Sequence, residues 1–226
     1  MAKVIAIDGP AGAGKSTIAR RIAAKLGFTY IDTGAMYRAL GYWALKQRLD
    51  PSDMHRMEQL ALAADIELDS AEARVFLNGE DVTDDIRTSE VSEAASRVSA
   101  IPAVRREMVA KQRAMGATRN VVMEGRDIGT VVFPNANLKI FLDATATARV
   151  GRRVLQTGGD AEQTAGEIAK RDRRDSTRGD SPLAQAPDAV YIDSSALNIE
   201  EVEEAILRLV RERLSNGKDY LEHINE

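Results

Sequence analysis

The sequence predicts an α/β fold whose core is a doubly wound parallel sheet. The run "VIAID" (4–8) stops at Gly9 and Pro10, as expected of a strand that is buried on both faces. Apolar residues then recur at helical spacing as far as Gly27, and "TYID" (29–32) is a second short strand. Strand, helix and strand within about thirty residues form a βαβ unit, which makes a parallel sheet the expected core.

Three further apolar runs extend this predicted sheet: "NVVMEG" (120–125), "LKIFLDA" (138–144) and "AVYIDSS" (189–195). A helix is predicted from about Thr147 towards Gln156. The last helix is predicted to begin after Asn198, which forms a capping box with Glu201 three residues later. The polar tail beyond it, residues 215–226, is predicted to be frayed.

The pattern changes over residues 65–88, where "IELD", "RVFLNGEDVT" and "IRT" are short and alternate in polarity. The pair Asn78-Gly79 predicts a type I′ hairpin, so these segments indicate a small antiparallel sheet. Two helices follow, and the second is predicted to begin near Pro102. The predicted organisation is one domain at 1–226, interrupted by insertions at 65–115 and 150–182.

Composition and charge exclude several classes of function. The 226 residues carry a net charge of −4, whereas general nucleic-acid or membrane-surface binders use a summed basic field. The chain has no cysteine and two histidines, so we expect no disulfide, thiolate nucleophile or histidine-rich metal centre. There is no signal peptide and no run of about 18 apolar residues, so a cytoplasmic protein is expected.

A glycine-rich loop follows the first strand and precedes a helix. Its sequence, "GPAGAGKS", fits the pattern G-x-x-x-x-G-K-[ST], in which backbone N–H groups surround phosphate oxygens. Lys15 reaches the β- and γ-phosphates, the Ser16 hydroxyl holds Mg²⁺, and Thr17 opens the helix. The predicted residues for binding a nucleoside triphosphate are Gly9, Pro10, Ala11, Gly12, Ala13, Gly14, Lys15, Ser16 and Thr17.

This loop occurs both in GTPase-type switches and in small kinases. A switch needs a guanine-reading N-K-x-D, and "NGKD" at 216–219 has the wrong order. The D-x-x-G segment is also missing, because Gly129 follows Asp127 by two positions instead of three. The sequence therefore favours a kinase, which gathers cations around a second, phosphorylated substrate.

Arginines are placed where such a substrate would need them. Arg38 lies on the helix after the second strand, and Arg126 lies beyond the end of a parallel strand, where open α/β sheets bind ligands. The segment "KRDRRDSTR" (170–178) adds Arg171, Arg174 and Arg178. Alone it is typical of a solvated helix with i,i+3 and i,i+4 pairs, but beside the phosphate loop it favours a lid over a phosphoryl group.

The small number of histidines also bears on the acceptor. A hydroxyl acceptor usually requires a general base, whereas a phosphate monoester, with a second pKa of about 6, is already ionised at neutral pH. A nucleoside monophosphate kinase therefore needs no catalytic base, which suits this composition.

Six segments occur in order: "IDGPAGAGKST", "DTGAMYR", "DIRTSEVSEAASRVSAIPAVR", "MEGRDIGTVVFP", "KIFLDA" and "RDRRDSTR". Together they resemble the bacterial-type cytidylate kinases, which are P-loop nucleoside monophosphate kinases. The resemblance implies a P-loop kinase core with a small antiparallel-β acceptor-binding insertion at 65–115 and a short helical lid at 150–182. It also implies transfer of the γ-phosphate of ATP to CMP or dCMP, with Mg²⁺, in pyrimidine metabolism.

The resemblance assigns roles to matching residues. The residues that match cytosine contacts are Ser96, Arg105 and Asp127. Those near the acceptor phosphate or nucleotide are Thr33, Tyr37, Arg38 and Arg126, and the ribose contacts are Arg171 and Asp175. The lid arginines are Arg178 and Arg174, with Arg152 or Arg153. The residues expected to act in catalysis are Lys15, Arg126, Arg174 and Arg178.

Cytosine chemistry agrees with this assignment, since the base offers acceptors at O2 and N3 and a donor at its amino group. An arginine that donates and an acidic or hydroxyl group that accepts are complementary to this pattern. We interpret Asp8, at the end of the first strand, as orienting the phosphate loop and not as a metal ligand. We expect no nucleic-acid or membrane partner and, from the resemblance, a monomer. Two alternatives stay open: a P-loop kinase for UMP, AMP or a hydroxylated metabolite, and a non-catalytic nucleotide-dependent switch or binding protein.

Overall fold

The structure of the protein is a computed structural model that describes residues 2–70 and 72–214. The chain divides into two compact units, Met1–Tyr30 with Gly116–Glu226, and Ile31–Met115. The second unit contains the predicted insertion at 65–115 and begins earlier in the chain. The predicted frayed tail, residues 215–226, lies outside the described residues.

The strands in chain order are β1 (Val4–Asp8), β2 (Thr29–Asp32), β3 (Ile66–Asp69), β4 (Arg74–Leu77), β5 (Glu80–Asp81), β6 (Val121–Gly125), β7 (Leu138–Asp143) and β8 (Val190–Asp193). The α-helices are α1 (Lys15–Leu26), α2 (Thr33–Lys46), α3 (Met54–Ala63), α4 (Ser89–Val98), α5 (Pro102–Ala117), α6 (Ala146–Thr157), α7 (Ala161–Thr177) and α8 (Ile199–Leu214). A 3₁₀-helix spans Asp85–Arg87 and a π-helix spans Ile128–Val132.

The larger sheet has the strand order β2-β6-β1-β7-β8, and the fold class predicted from the sequence is confirmed. β1 is parallel to β6 on one side and to β7 on the other, with Asp8 opposite Gly125 and Phe141. The carboxyl ends of these three strands therefore lie at one edge of the sheet. That edge carries the chain directly into the glycine-rich loop and into Arg126.

The core of the first unit explains why its strands are apolar throughout. All five residues of β1 are buried, and Ile5 and Ile7 pack in one cluster with Ile22 of α1 and Ile206 of α8. Burying a side chain of this size contributes about 1.5–3 kcal/mol. The predicted capping box is present, because the backbone N–H of Glu201 donates to Asn198 Oδ1 at 2.9 Å and that of Asn198 donates to Glu201 at 2.8 Å.

The smaller sheet, β3-β4-β5, belongs to the second unit and is antiparallel, as predicted. Asn78 and Gly79 have φ of 51° and 80°, which is the left-handed pair that a type I′ turn requires. The prediction of a strand at "IRT" is wrong, because this segment is the 3₁₀-helix. The backbone N–H of Ile86 donates to Val82 O at 3.1 Å, and this helical turn places the Ile86 side chain in the interior. The alternation of one apolar residue with polar neighbours therefore reflects a helical turn here and not a strand.

Two helical segments escaped the sequence analysis. α3 begins after Asp53, whose carboxylate accepts from the N–H of Arg56 at 3.0 Å. α7 begins earlier than the basic segment, because Asp160 accepts from the N–H of Gln163 at 2.8 Å. Both are local capping signals that the polar surroundings concealed. Within residues 2–70 and 72–214, no helix is long and apolar enough to cross a membrane.

Candidate active site

The glycine-rich loop connects β1 to α1, as the motif predicts. Gly9, Gly12 and Gly14 have positive φ of 150°, 77° and 93°, so the loop curls in a way that side chains with a Cβ rarely permit. α1 begins at Lys15, two residues before the predicted position, and Ser16 and Thr17 are exposed in its first turn. The N–H groups of a first helical turn have no partners within the helix, so this is an anion-binding geometry.

Lys15 is buried at the start of this helix, with 5% of its surface exposed. Its Nζ donates to Pro10 O at 2.7 Å, which holds the amine within the loop. Burial lowers the pKa of Lys15 to about 7, the repulsion from Arg126 adds to this effect, and Glu124 opposes it. A bound anion would reverse the shift, so the environment of Lys15 is suited to a phosphate.

Asp8, at the end of β1, accepts hydrogen bonds from the N–H groups of Ile128 at 2.8 Å and Gly129 at 2.7 Å. Burial raises its pKa to about 6 although these two bonds favour the carboxylate. Asp8 thus holds the backbone that follows Asp127, whereas the sequence led us to expect that it orients the phosphate loop. In the part of the chain that the structure describes, no group of three or more histidine, aspartate or glutamate side chains is placed to hold a metal.

Arginines and aspartates of the first unit form a connected network. Arg126 Nε donates to Asp175 Oδ2 at 2.8 Å. Arg178 lies 3.6 Å from Asp127 Oδ1 and 3.9 Å from Asp175 Oδ1, and its Nε donates to Ser181 O at 2.6 Å. Burial raises the pKa of Asp175, but Arg126, Arg171 and Arg178 outweigh it and hold that pKa below its usual value.

The structure therefore brings together several residues that the sequence assigned to different parts of the substrate. Arg171, Arg174 and Asp175 lie on α7 at i, i+3 and i+4, a spacing that shares one helix face. Arg178 caps the helix, and its backbone N–H donates to Arg174 O at 3.2 Å. The predicted lid segment 150–182 is built from α6 and α7.

The second unit carries the other predicted acceptor residues. Thr33 is buried at the start of α2, where Asp32 caps the helix and also binds Arg38 at 2.9 Å. Ser96, on α4, is 3% exposed. The Thr33 hydroxyl and the Arg38 guanidinium are thus held on neighbouring turns of α2, and the Ser96 hydroxyl is held on α4.

Arg105, on α5, is the largest fully buried side chain of the protein's described part. Its Nη1 donates to Ser99 O at 3.1 Å, and its guanidinium carbon lies 5.8 Å from the centre of the Tyr37 ring. Arg106 is exposed and binds Glu58 at 3.2 Å, so only the first of the two adjacent arginines is held in the interior. A buried arginine that is oriented by a backbone acceptor and lies beside an aromatic face is suited to binding a planar polar ligand.

Sequence reasoning missed several residues around the phosphate loop. Arg149 and Asp172 contact Ala11. Nothing in the sequence indicated these contacts beyond the places of the two residues in a predicted helix and in the basic segment 170–178. Arg152, left as one of two possible lid arginines, donates to Ser194 O at 2.6 Å and to Ala13 O at 3.3 Å. It braces the loop against the end of β8.

The loop on a parallel sheet, the buried Lys15 and the arginine network define a P-loop phosphotransferase. The family model for cytidylate kinase matches residues 5–212. The chain therefore belongs to the cytidylate kinase family, and the resemblance noted in the sequence is confirmed.

Relatives with the same name cover nearly the whole chain. A cytidylate kinase of Solibacter usitatus is 63% identical over 224 residues, covering 96% of each chain. One from a Geobacillus strain is 51% identical over 217 residues, covering 93% of this chain and 97% of its own. A crystal structure of an uncharacterized protein from Eubacterium ventriosum aligns with a TM-score of 0.53 at 12% identity, covering 93% of this chain and 99% of its own, and shows a shared fold alone.

Proposed function

We propose that the protein transfers the γ-phosphoryl group of ATP to CMP or dCMP, giving ADP and CDP or dCDP. The observation that carries this proposal is the arginine network of the unit that bears the phosphate loop, in which Arg126 and Arg178 share Asp175. Near-full-length identity to proteins named cytidylate kinase supports the choice of acceptor.

The donor half of the reaction follows from the loop. Backbone N–H groups and Lys15 bind the ATP phosphates, and the exposed hydroxyl of Ser16 offers Mg²⁺ an oxygen ligand. Mg²⁺ prefers oxygen ligands and usually binds through substrate phosphates with few protein groups, so this donor set fits it without an acidic cluster. When bound, Mg²⁺ supplies neutralisation of negative charge on the donor phosphates.

The transfer step needs positioning and charge neutralisation. An oxygen of the acceptor phosphate forms the new bond to the γ-phosphorus, and the bond to the β,γ-bridging oxygen breaks, so that ADP leaves with that electron pair. No proton must be removed, because the acceptor phosphate is already ionised at neutral pH. Arg126, Arg174 and Arg178 neutralise the charge of the transferring group.

We expect kcat/KM for UMP to be about 10- to 100-fold below that for CMP, since O4 of uracil would face Asp127, acceptor against acceptor. A coupled ADP-release assay with CMP, dCMP, UMP and AMP measures this. As a matched variant, Asp127→Asn offers an amide that donates to O4 of uracil, and it should lower the ratio of kcat/KM for CMP to kcat/KM for UMP.

Each outcome of this assay separates the alternatives. Equal kcat/KM for UMP and CMP contradicts the assignment of Asp127. Turnover with AMP in place of CMP indicates another small-molecule kinase. ATP binding without CMP-stimulated ADP formation indicates a non-catalytic switch.

ATP affinity is expected to fall as the pH rises above 7. Lys15 of the nucleotide-free protein has a pKa of about 7, while bound phosphates favour its charged form. The complex therefore binds more protons than the free protein, and log Kd should rise by up to about one unit per pH unit between about pH 7.5 and 9. Calorimetric titration measures it, and Lys15→Arg, which stays charged, should give a flat profile. A flat wild-type profile contradicts the expectation.

We further propose that the protein works as a monomer in the cytoplasm, within pyrimidine metabolism. The acidic net charge supports the absence of a nucleic-acid partner. Light scattering on the purified protein tests the monomer.

A further inference from the structure

The tip of the phosphate loop is held by an ion pair that the proposed reaction does not use. The backbone N–H of Ala11 donates to Asp172 Oδ1 at 3.2 Å. The carbonyl of the same residue accepts from Arg149 Nη1 at 3.1 Å. Arg149 and Asp172 also bind each other directly, so both polar groups of one loop residue end on one ion pair.

The two side chains come from the two helices of the lid segment, Arg149 from α6 and Asp172 from α7. Arg149 is itself fixed, because its Nε donates to Ala144 O at 3.0 Å, just beyond β7. With 12% and 21% of their side chains exposed, Arg149 and Asp172 are largely withdrawn from water. An ion pair that also holds backbone groups in this way is more strongly oriented than an exposed one.

The backbone of α6 also approaches the loop closely. A Cβ on Gly12 would lie 3.1 Å from both the Cβ and the carbonyl oxygen of Arg149, which is tighter than ordinary contact. Gly12 also has a φ of 77°, which disfavours other residues. The loop and the first turn of α6 are thus packed as one piece at this point.

The charge of Asp172 makes this arrangement informative. A carboxylate beside a loop that binds a triphosphate repels the ligand, so electrostatics alone would disfavour an acid here. Arg149 offsets that charge, and the carboxylate also acts on Arg126, which it stabilises in the charged form. The contacts of Asp172 therefore indicate that it serves to fix geometry.

We propose that Arg149 and Asp172 are a positioning pair that ties the tip of the phosphate loop to both lid helices. The pair fixes the position of the donor phosphates relative to the arginines of α7, since Asp172 lies between Arg171 and Arg174 on the same helix. This inference rests on the proposed function, because this relative position matters only if the lid arginines meet the donor.

The test is a double-mutant cycle of Asp172→Ala and Arg149→Ala, followed by steady-state kinetics with ATP and CMP. Each single variant is expected to lower kcat/KM for ATP by about tenfold or more, as misplacement of a bound group does, with KM for CMP within about twofold. The double variant should lose little beyond either single one, because the two residues act as a unit. The control Glu167→Gln, an exposed acid on α7 that pairs with Gln163, should match the wild type.

Several outcomes would overturn the pair. These are additive losses in the cycle, single variants that behave like Glu167→Gln, or a loss confined to KM for CMP. Tighter ATP binding with unchanged kcat in Asp172→Ala would also overturn it, because that is the effect of removing a repelling charge alone.

A second variant covers the case in which the alanine variants do not fold. Asp172→Asn keeps the volume and the acceptor for Ala11 but loses the ionic contact with Arg149, and it should still lower kcat/KM for ATP by about threefold or more. Activity equal to wild type in a folded Asp172→Asn overturns the proposal. If the wild type itself turns over no CMP, the proposed function fails instead, and calorimetric Kd values for MgADP in the same variants still decide whether the pair shapes the loop.

Discussion

Replacing Lys15 with methionine is expected to lower kcat by about 10²–10³-fold, the loss seen when one charge-stabilising donor is removed from a reaction centre. Lys15 is buried, and its amine is already oriented by Pro10 O, so little reorganisation is needed when the γ-phosphate becomes more negative. In a water-poor site the lost charge is worth more than it would be at the surface. Steady-state turnover of ATP and CMP measures the effect.

The structure also predicts that this variant folds. Methionine has a similar length, and burial disfavours the lysine charge, as the lowered pKa of Lys15 shows. The melting temperature of the nucleotide-free variant should therefore stay within about 3 °C of the wild type. Lys15→Arg is the matched variant that keeps the charge while changing its shape. Retention of more than about a tenth of kcat in Lys15→Met would contradict the role given to this amine.

Arg178→Ala is expected to lower kcat on the order of 10²-fold while KM for CMP changes by less than about threefold. Arg178 is 5% exposed in its side chain and lies at the end of α7 against Asp127 and Asp175, within the network that contains Arg126. An arginine placed to meet a transferring phosphoryl group acts in the transition state more than in substrate binding. Initial rates at saturating ATP over a range of CMP separate the two parameters.

Two further variants make this result interpretable. Arg173→Ala removes an arginine from the same basic segment, but Arg173 is exposed, so near wild-type kinetics are expected. Arg178→Lys keeps a charge beside Asp127 and Asp175, and thus shows whether the alanine variant fails because two buried carboxylates lose a partner. The reverse pattern, in which KM for CMP rises and kcat is kept, would remove Arg178 from the transition state.

Local signals predicted most of the fold. β1 could be predicted because it is buried throughout, so four of its five residues are apolar and only the last, Asp8, is polar. α8 could be predicted because Asn198 and Glu201 form its capping box. The segment "IRT" was misjudged because Ile86 is buried by a helical turn from Val82, which produces the same alternation as a short strand. α3 was missed since its capping residue lies in a polar stretch.

The candidate site was predictable where one segment carries its own chemistry, as the phosphate loop does. The contact of Asp172 with Ala11 joins residues 161 positions apart, and no pattern in either segment specifies it. The hydrogen bonds from the backbone of Ile128 and Gly129 to Asp8 join residues 120 and 121 positions apart, and no local pattern specifies them either. Such contacts arise from the sheet order, in which β1 lies between β6 and β7.

The carboxylates that pair with the arginine network have a consequence for product release. Arg126 pairs with Asp175 and Arg178 lies beside Asp127, so a phosphate that binds these arginines would replace one anionic partner with another. The favourable energy is the difference between two ion pairs, and it is smaller than the attraction of a bare cation. Diphosphates should therefore depart readily, which keeps turnover from being limited by overly tight retention of products.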